Sequence, residues 1–249
     1  MKSCWAAQLG NCSGRITGKH IVSRGLIDSD SVEVFGFPWL NGEKKVLPKD
    51  SLTHNVLCEK HNGELSNVDA SAIEAFNSIR NLYLSSVSRL NSDKDSRTIE
   101  SSSIDGLLLE RWFLKTLIDF MYQGDYPIGD SKNKAGFPSG ELVEVAFGRK
   151  GFRAPSGLYV IYPDLHLYPF GRIEFVPIIK NDYSHIAGGV FSFGGPRFLL
   201  FFGIDQPPED LKGIKLGNVD LSDSKLFYHP EKMDVNYEGH LFQQVNIKW

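Results

Sequence analysis

Apolar residues recur at close to helical period between Ile104 and Tyr122, at Leu107, Leu108, Trp112, Leu114, Leu117, Ile118 and Met121. This spacing predicts a long helix with a wide buried face. Arg111 and Lys115 fall on one side of it, at i and i+4. Trp112 reads as a core anchor, because a large ring inside an apolar stripe is best buried. Upstream, Ile79, Leu82, Leu84, Val87 and Leu90 form a less regular stripe, and Ser71 to Phe76 has helical spacing. A helix is therefore expected from Asn62 onward, with Ser66 to Asp69 as a cap or a break. Asn91 to Ser103 is polar and serine-rich, which predicts an exposed loop.

From about residue 136 the pattern changes to short apolar runs separated by turn residues: Leu158–Tyr162, Ile173–Ile179, Val190–Phe193 and Phe198–Phe202. Phe193-Gly194-Gly195-Pro196 reads as a hairpin tip, and Leu226–Tyr228 and Leu241–Trp249 as further strands. This is the texture of an antiparallel β domain, sandwich-like or a partial barrel. Near the N-terminus, Arg15 to Thr17 and His20 to Val22 could pair around Gly18. Residues 32–49 look like an insert, with a strand at Val32 to Phe35 and a turn at Asn41-Gly42. The expected organisation is α+β: an N-terminal module over 1–75, a helical connector over 76–135 and a β-rich domain over 136–249.

Composition narrows the function classes. The 249 residues carry a formal net charge of −3, so phosphates would have to be held by a local patch and not by a basic surface. No apolar stretch reaches membrane-spanning length, and the start lacks a signal-peptide core. The cysteines are Cys4, Cys12 and Cys58, an odd number whose spacing suits metal ligation. That pattern argues for a reducing compartment, most simply the cytoplasm. No phosphate-binding glycine loop is present, and Asp164 and Glu174 show no pairing of glycosidase type.

The strongest chemical signal is His54-Asn55-Val56-Leu57-Cys58-Glu59-Lys60-His61-Asn62, with Cys4 and Cys12 upstream. Three sulfurs and an imidazole in two pairs, Cys4 with Cys12 and Cys58 with His61, fit a tetrahedral structural zinc site. Between the pairs lies His20, in Gly18-Lys19-His20-Ile21. It could be a further ligand, a satisfied buried histidine, or a reactive group. Asn55 could cap the turn before the knuckle, and Asn62 could cap the following helix.

At Cys12 to Ile21 and Asn55 to Asn62 the chain resembles the HNH, or ββα-metal, nuclease superfamily in its zinc-bound treble-clef form. The resemblance covers roughly the first 75 residues. Seven residues separate Cys4 from Cys12, where two are commoner, and Lys19 stands where many such enzymes carry a metal ligand. The resemblance implies an endonuclease that cleaves DNA, or RNA, with Mg²⁺ or Mn²⁺, and a role in phage defence. His20 would be the general base, because imidazole changes charge near neutral pH. Asn55 would orient the His20 loop, Asn62 would bind the catalytic ion through its amide oxygen, and Lys19 or Arg24 would contact phosphate. The β-rich domain would recognise substrate, a protein partner or a trigger. The rival reading is a non-catalytic treble-clef zinc protein that binds nucleic acid or a protein partner. A third makes the β-rich domain, with its Phe and Tyr strands, the ligand sensor or enzyme, and the zinc module a brace.

Overall fold

A computed structural model describes residues 3–90, 100–129, 136–162, 171–179, 185–202, 211, 214–216, 219–237 and 240–249. Most of the expected serine-rich loop, the end of the connector and Asp164 lie outside these residues.

Strand β1 (Ile16–His20) runs straight through Gly18 instead of turning there. Its partner is β4 (Thr53–Cys58), antiparallel, with a bulge between Thr17 and Gly18. The residues between them form β2 (Ser31–Phe35) and β3 (Lys45–Pro48), an antiparallel pair. Asn41 and Gly42 both adopt positive φ between these strands, as the turn signal requires. Helix α1 (Glu59–Glu64) follows β4 without a loop and starts before Asn62. After Leu65 the chain continues as α2 (Ser66–Leu90).

Residues at the end of the expected loop form β5 (Ser101–Asp105). Only Ile104 is buried in it, so no alternating pattern betrays the strand. Helix α3 (Gly106–Gly124) is the helix predicted from periodicity. Asp105 caps it by accepting from the Leu108 N–H, and Asp125 ends it in a left-handed conformation. A short α4 (Gly140–Ala146) leads to β6 (Gly157–Tyr162), β7 (Arg172–Ile179), β8 (Ile186–Phe193) and β9 (Arg197–Phe201). The remaining strands are the two-residue pair β10 (Lys215–Leu216) and β11 (Val219–Asp220), then β12 (Lys225–Tyr228), β13 (Lys232–Tyr237) and β14 (His240–Lys248).

The large sheet has the order β12-β6-β9-β8-β7-β2-β3. The N-terminal insert therefore belongs to it: β2 pairs with β7 in parallel, from Glu33 opposite Arg172 to Phe35 opposite Glu174. Gly36 makes this crossing possible. Its φ is +81°, and a Cβ there would lie 1.7 Å from the Phe175 carbonyl oxygen. A second sheet has the order β13-β14-β5, with β14 and β5 parallel.

α3 packs one face of the large sheet through aromatic rings: Phe113 lies 4.8 Å from Phe198 and 5.2 Å from Phe191, and Phe120 lies 5.3 Å from Phe175. Trp112 is fully buried, as expected. The other sheet face carries Tyr159, Ile161, Val190, Leu199 and Phe201 against Leu211, Leu216 and Leu221. β8 and β9 are buried along their whole length. Burial on both faces explains why they read as continuous apolar runs. One buried cluster takes side chains from Cys4 through to Ile247. Among the described residues, no helix is long and apolar enough to cross a membrane.

Candidate metal centre and its surroundings

The chain brings Cys4, Cys12, Cys58 and His61 together, with their ligand atoms within 4.8 Å of one another. Local structure explains each placement. Cys58 is the residue before α1, and His61 lies one turn on, so both side chains share a helix face. The Trp5 N–H bonds the Val56 carbonyl at 3.1 Å, which lays Cys4 beside β4. The loop carrying Cys12 turns through left-handed Gly10, Asn11 and Gly14. Gly14 has φ +73°, and a Cβ there would lie 2.9 Å from the Glu59 Cβ, so glycine is favoured.

The spacing fits zinc. Bond lengths of about 2.3 Å to sulfur and about 2.0 Å to nitrogen at a tetrahedral angle put S and N about 3.5 Å apart. His61 Nδ1 lies 3.3 Å from Cys4 Sγ, 3.6 Å from Cys12 Sγ and 3.3 Å from Cys58 Sγ. Electrostatics agree. Burial pushes the Cys4 thiol up to about 12, with the nearby cysteines adding to it. Burial raises Cys12 as well. Burial also opposes ionisation of Cys58, but backbone N–H bonds from His61 and Ser13 outweigh it and hold its thiol below the usual range. Three crowded sulfurs can all be thiolates only around a cation. Burial lowers the His61 pKa and keeps the imidazole in its neutral, ligand-competent form. Phe147, at the end of α4, packs on His61 at 5.4 Å and on Trp5 at 5.7 Å.

The other residues expected at a site spread around this centre. His20 ends β1, half-buried, with Nε2 3.6 Å from Asp50 Oδ1. Arg24 is exposed and pairs with the same Asp50 oxygen at 3.1 Å. Asn55 is exposed and sits opposite Gly18, whereas His20 pairs with Thr53. Asn62 lies inside α1, which removes the helix-cap alternative. Its amide donates to Thr17 Oγ1 at 3.4 Å, and it lines an open cleft of about 460 Å³ with Thr17, Glu59 and Asp69. His20 does not line that cleft.

Lys19 departs furthest from expectation. Its side chain is 4% exposed, and Nζ pairs with Asp69 Oδ2 at 3.0 Å. Lys19, expected at phosphate, is engaged here in a buried ion pair. Lys115, fully buried, reaches Asp69 Oδ1 at 3.0 Å and Asp119 Oδ2 at 3.5 Å. Asp119 accepts from Trp5 Nε1 at 2.9 Å, and Asp69 accepts from Ser23 at 2.7 Å. This network joins β1, α2, α3 and the segment carrying Cys4. Its one signal in the sequence is the charge of Lys115 and Asp119 at helical spacing inside an apolar stripe.

Comparison of the chain with protein-family models, curated proteins and solved structures found no match, so the functional reading rests on the geometry of the centre and of the residues around it.

Proposed function

We propose that this chain is a metal-dependent nuclease, hydrolysing phosphodiester bonds in DNA or RNA from its N-terminal module. The observation that carries the reading is the order β1, β4, α1 stapled by one Cys3His cluster, with half-buried His20 at the end of β1 beside Arg24. In this reading zinc is structural and fixes the strand pair against the helix. His20 takes the proton of the attacking water. Arg24 offers a guanidinium to the phosphate. Asn62, which lines the cleft, offers a neutral amide oxygen to Mg²⁺ or Mn²⁺.

Cleavage of plasmid and single-stranded substrates with Mg²⁺ or Mn²⁺ tests the reading. His20→Ala should lower the rate by roughly 10²–10⁴-fold while leaving zinc content and melting temperature unchanged. Loss of zinc in that variant would place His20 in the structural shell, and an unchanged rate would place the chemistry elsewhere.

Asn62 gives a separate test. Its bond to Thr17 is long, so Asn62→Ala should cost less than about 1 kcal/mol of stability yet abolish cleavage with zinc retained. Asn62→Asp should lower the Mg²⁺ concentration needed, because it adds charge to the ion's ligand. Retained cleavage in Asn62→Ala would remove Asn62 from the catalytic set.

One observation favours the rival. Lys19 is turned inward and engaged with Asp69, so Asn62 would hold the second ion with little protein help. A parent protein that binds nucleic acid but cuts with neither ion is a binding module built on the same zinc centre.

A further inference from the structure

The His20 imidazole has an unfinished contact. Its Nε2 is closed off from solvent and has no hydrogen-bond partner among the described residues, an unfavourable state for a polar atom. Asp50 Oδ1 faces it at 3.6 Å, beyond hydrogen-bond range by a few tenths of an ångström. The backbone holds the two residues in register. Asp50 sits in the 3₁₀ turn Lys49–Ser51, after β3. Its carbonyl accepts from Thr53 Oγ1 at 2.9 Å, and Thr53 is the strand partner of His20. Next to them, the Ile21 N–H bonds the Leu52 carbonyl at 2.9 Å. Arg24 Nε meets the same Asp50 oxygen at 3.1 Å and supplies a counter-charge.

We propose that Asp50 is the positioning residue for His20: its carboxylate accepts the Nε2–H and fixes the tautomer whose lone pair lies on Nδ1. The catalytic consequence rests on the nuclease reading. In that reaction the proton passes from water to Nδ1, and the imidazolium stays paired with Asp50. The water oxygen forms the new P–O bond as the old one breaks, and the leaving oxygen takes its proton from solvent. A carboxylate behind an imidazole holds both the ring orientation and the charge that forms on it.

The test uses the full chain with ¹⁵N-labelled histidine. The parent should show a His20 Nε2–H proton shifted downfield and slow to exchange, assigned by its loss in His20→Gln. Asp50→Ala should lose this signal, and Asp50→Glu should restore it. The Asp50 side chain is 66% exposed, so both variants should fold, which a thermal melt checks. Asp50→Ala should also lower kcat by about 10–100-fold with KM unchanged, and Asp50→Glu should recover part of the loss. A signal that persists in Asp50→Ala overturns the pairing. A lost signal with unchanged kcat overturns the positioning role. If the parent does not cleave at all, the nuclease reading fails, and the N–H signal alone decides whether Asp50 holds His20.

Discussion

Removing the metal from the Cys4, Cys12, Cys58 and His61 site should lower the melting temperature by about 10 °C or more. Metal binding at such a site is folding free energy, and a loss of about 4 kcal/mol shifts a chain of this size by roughly that amount. The effect should not stay local. Cys4, Cys58 and His61 are all buried, and the neighbouring Trp5 is fully enclosed against Phe147 and bonded to Asp119 of α3. Loss of the cation would leave the Cys4 and Cys58 sulfurs crowded and only partly ionised, so the segment carrying Trp5 would come away from α3 and α4. Elemental analysis should find about one zinc per chain. The cysteines should also rank. Cys58→Ser should cost more than Cys12→Ser, because Cys12 is exposed and water can replace its sulfur. Protein free of zinc, with a melting curve indifferent to chelators, would reject the metal centre.

The legible and illegible parts of this fold divide on a physical line. α3 was readable because an apolar stripe at helical period is a local property of Leu107 to Met121. The central strands were readable as apolar runs because both their faces are buried. The Cys3His centre was readable from ligand chemistry, since soft sulfur and imidazole in two pairs have few other uses at these spacings. The partners of residues 31–48 were not. Val32 and Val34 are buried, but a parallel pairing with β7, far along the chain, leaves no mark in the local pattern. β5 was missed because its side chains are three serines and an aspartate around one buried isoleucine. Asp50 and Asp69 were missed for the same reason: no spacing rule connects an aspartate to a histidine or a lysine that only the tertiary fold brings to it.

Asp69→Ala should cost about 3–5 kcal/mol at pH 7, the penalty for leaving buried charge unpaired. Lys19 and Lys115 both pair with this carboxylate, with side chains 4% and 0% exposed. Asp119 replaces it only in part. Its Oδ2 lies 3.5 Å from Lys115, a longer contact than the 3.0 Å that Asp69 makes, and burial raises its pKa. Ser23 would also lose its acceptor, and Ser23 in turn accepts from Trp112 Nε1 at 2.9 Å. The pH dependence identifies the same group. Burial alone would raise the Asp69 carboxyl, but the Lys115 and Lys19 ammonium groups outweigh it and hold the pKa down at about 2. A carboxyl depressed in the fold contributes stability above its unfolded value near 4 and loses it as pH falls through 2. The contribution at neutral pH is about 2 kcal/mol. Asp119 acts in the opposite sense, since burial raises its pKa and its protonation relieves the fold as acid is added. The net acid limb of the parent is therefore shallower than Asp69 alone would give. Asp69→Asn separates the two, because it keeps an acceptor for Ser23 and removes only the charge. Its stability should fall at pH 7 and then change little, or rise, between pH 4 and pH 2, where the parent declines. Melting curves of both proteins across that interval decide the matter, and parallel curves would mean that the Asp69 charge does not hold β1, α2 and α3 together.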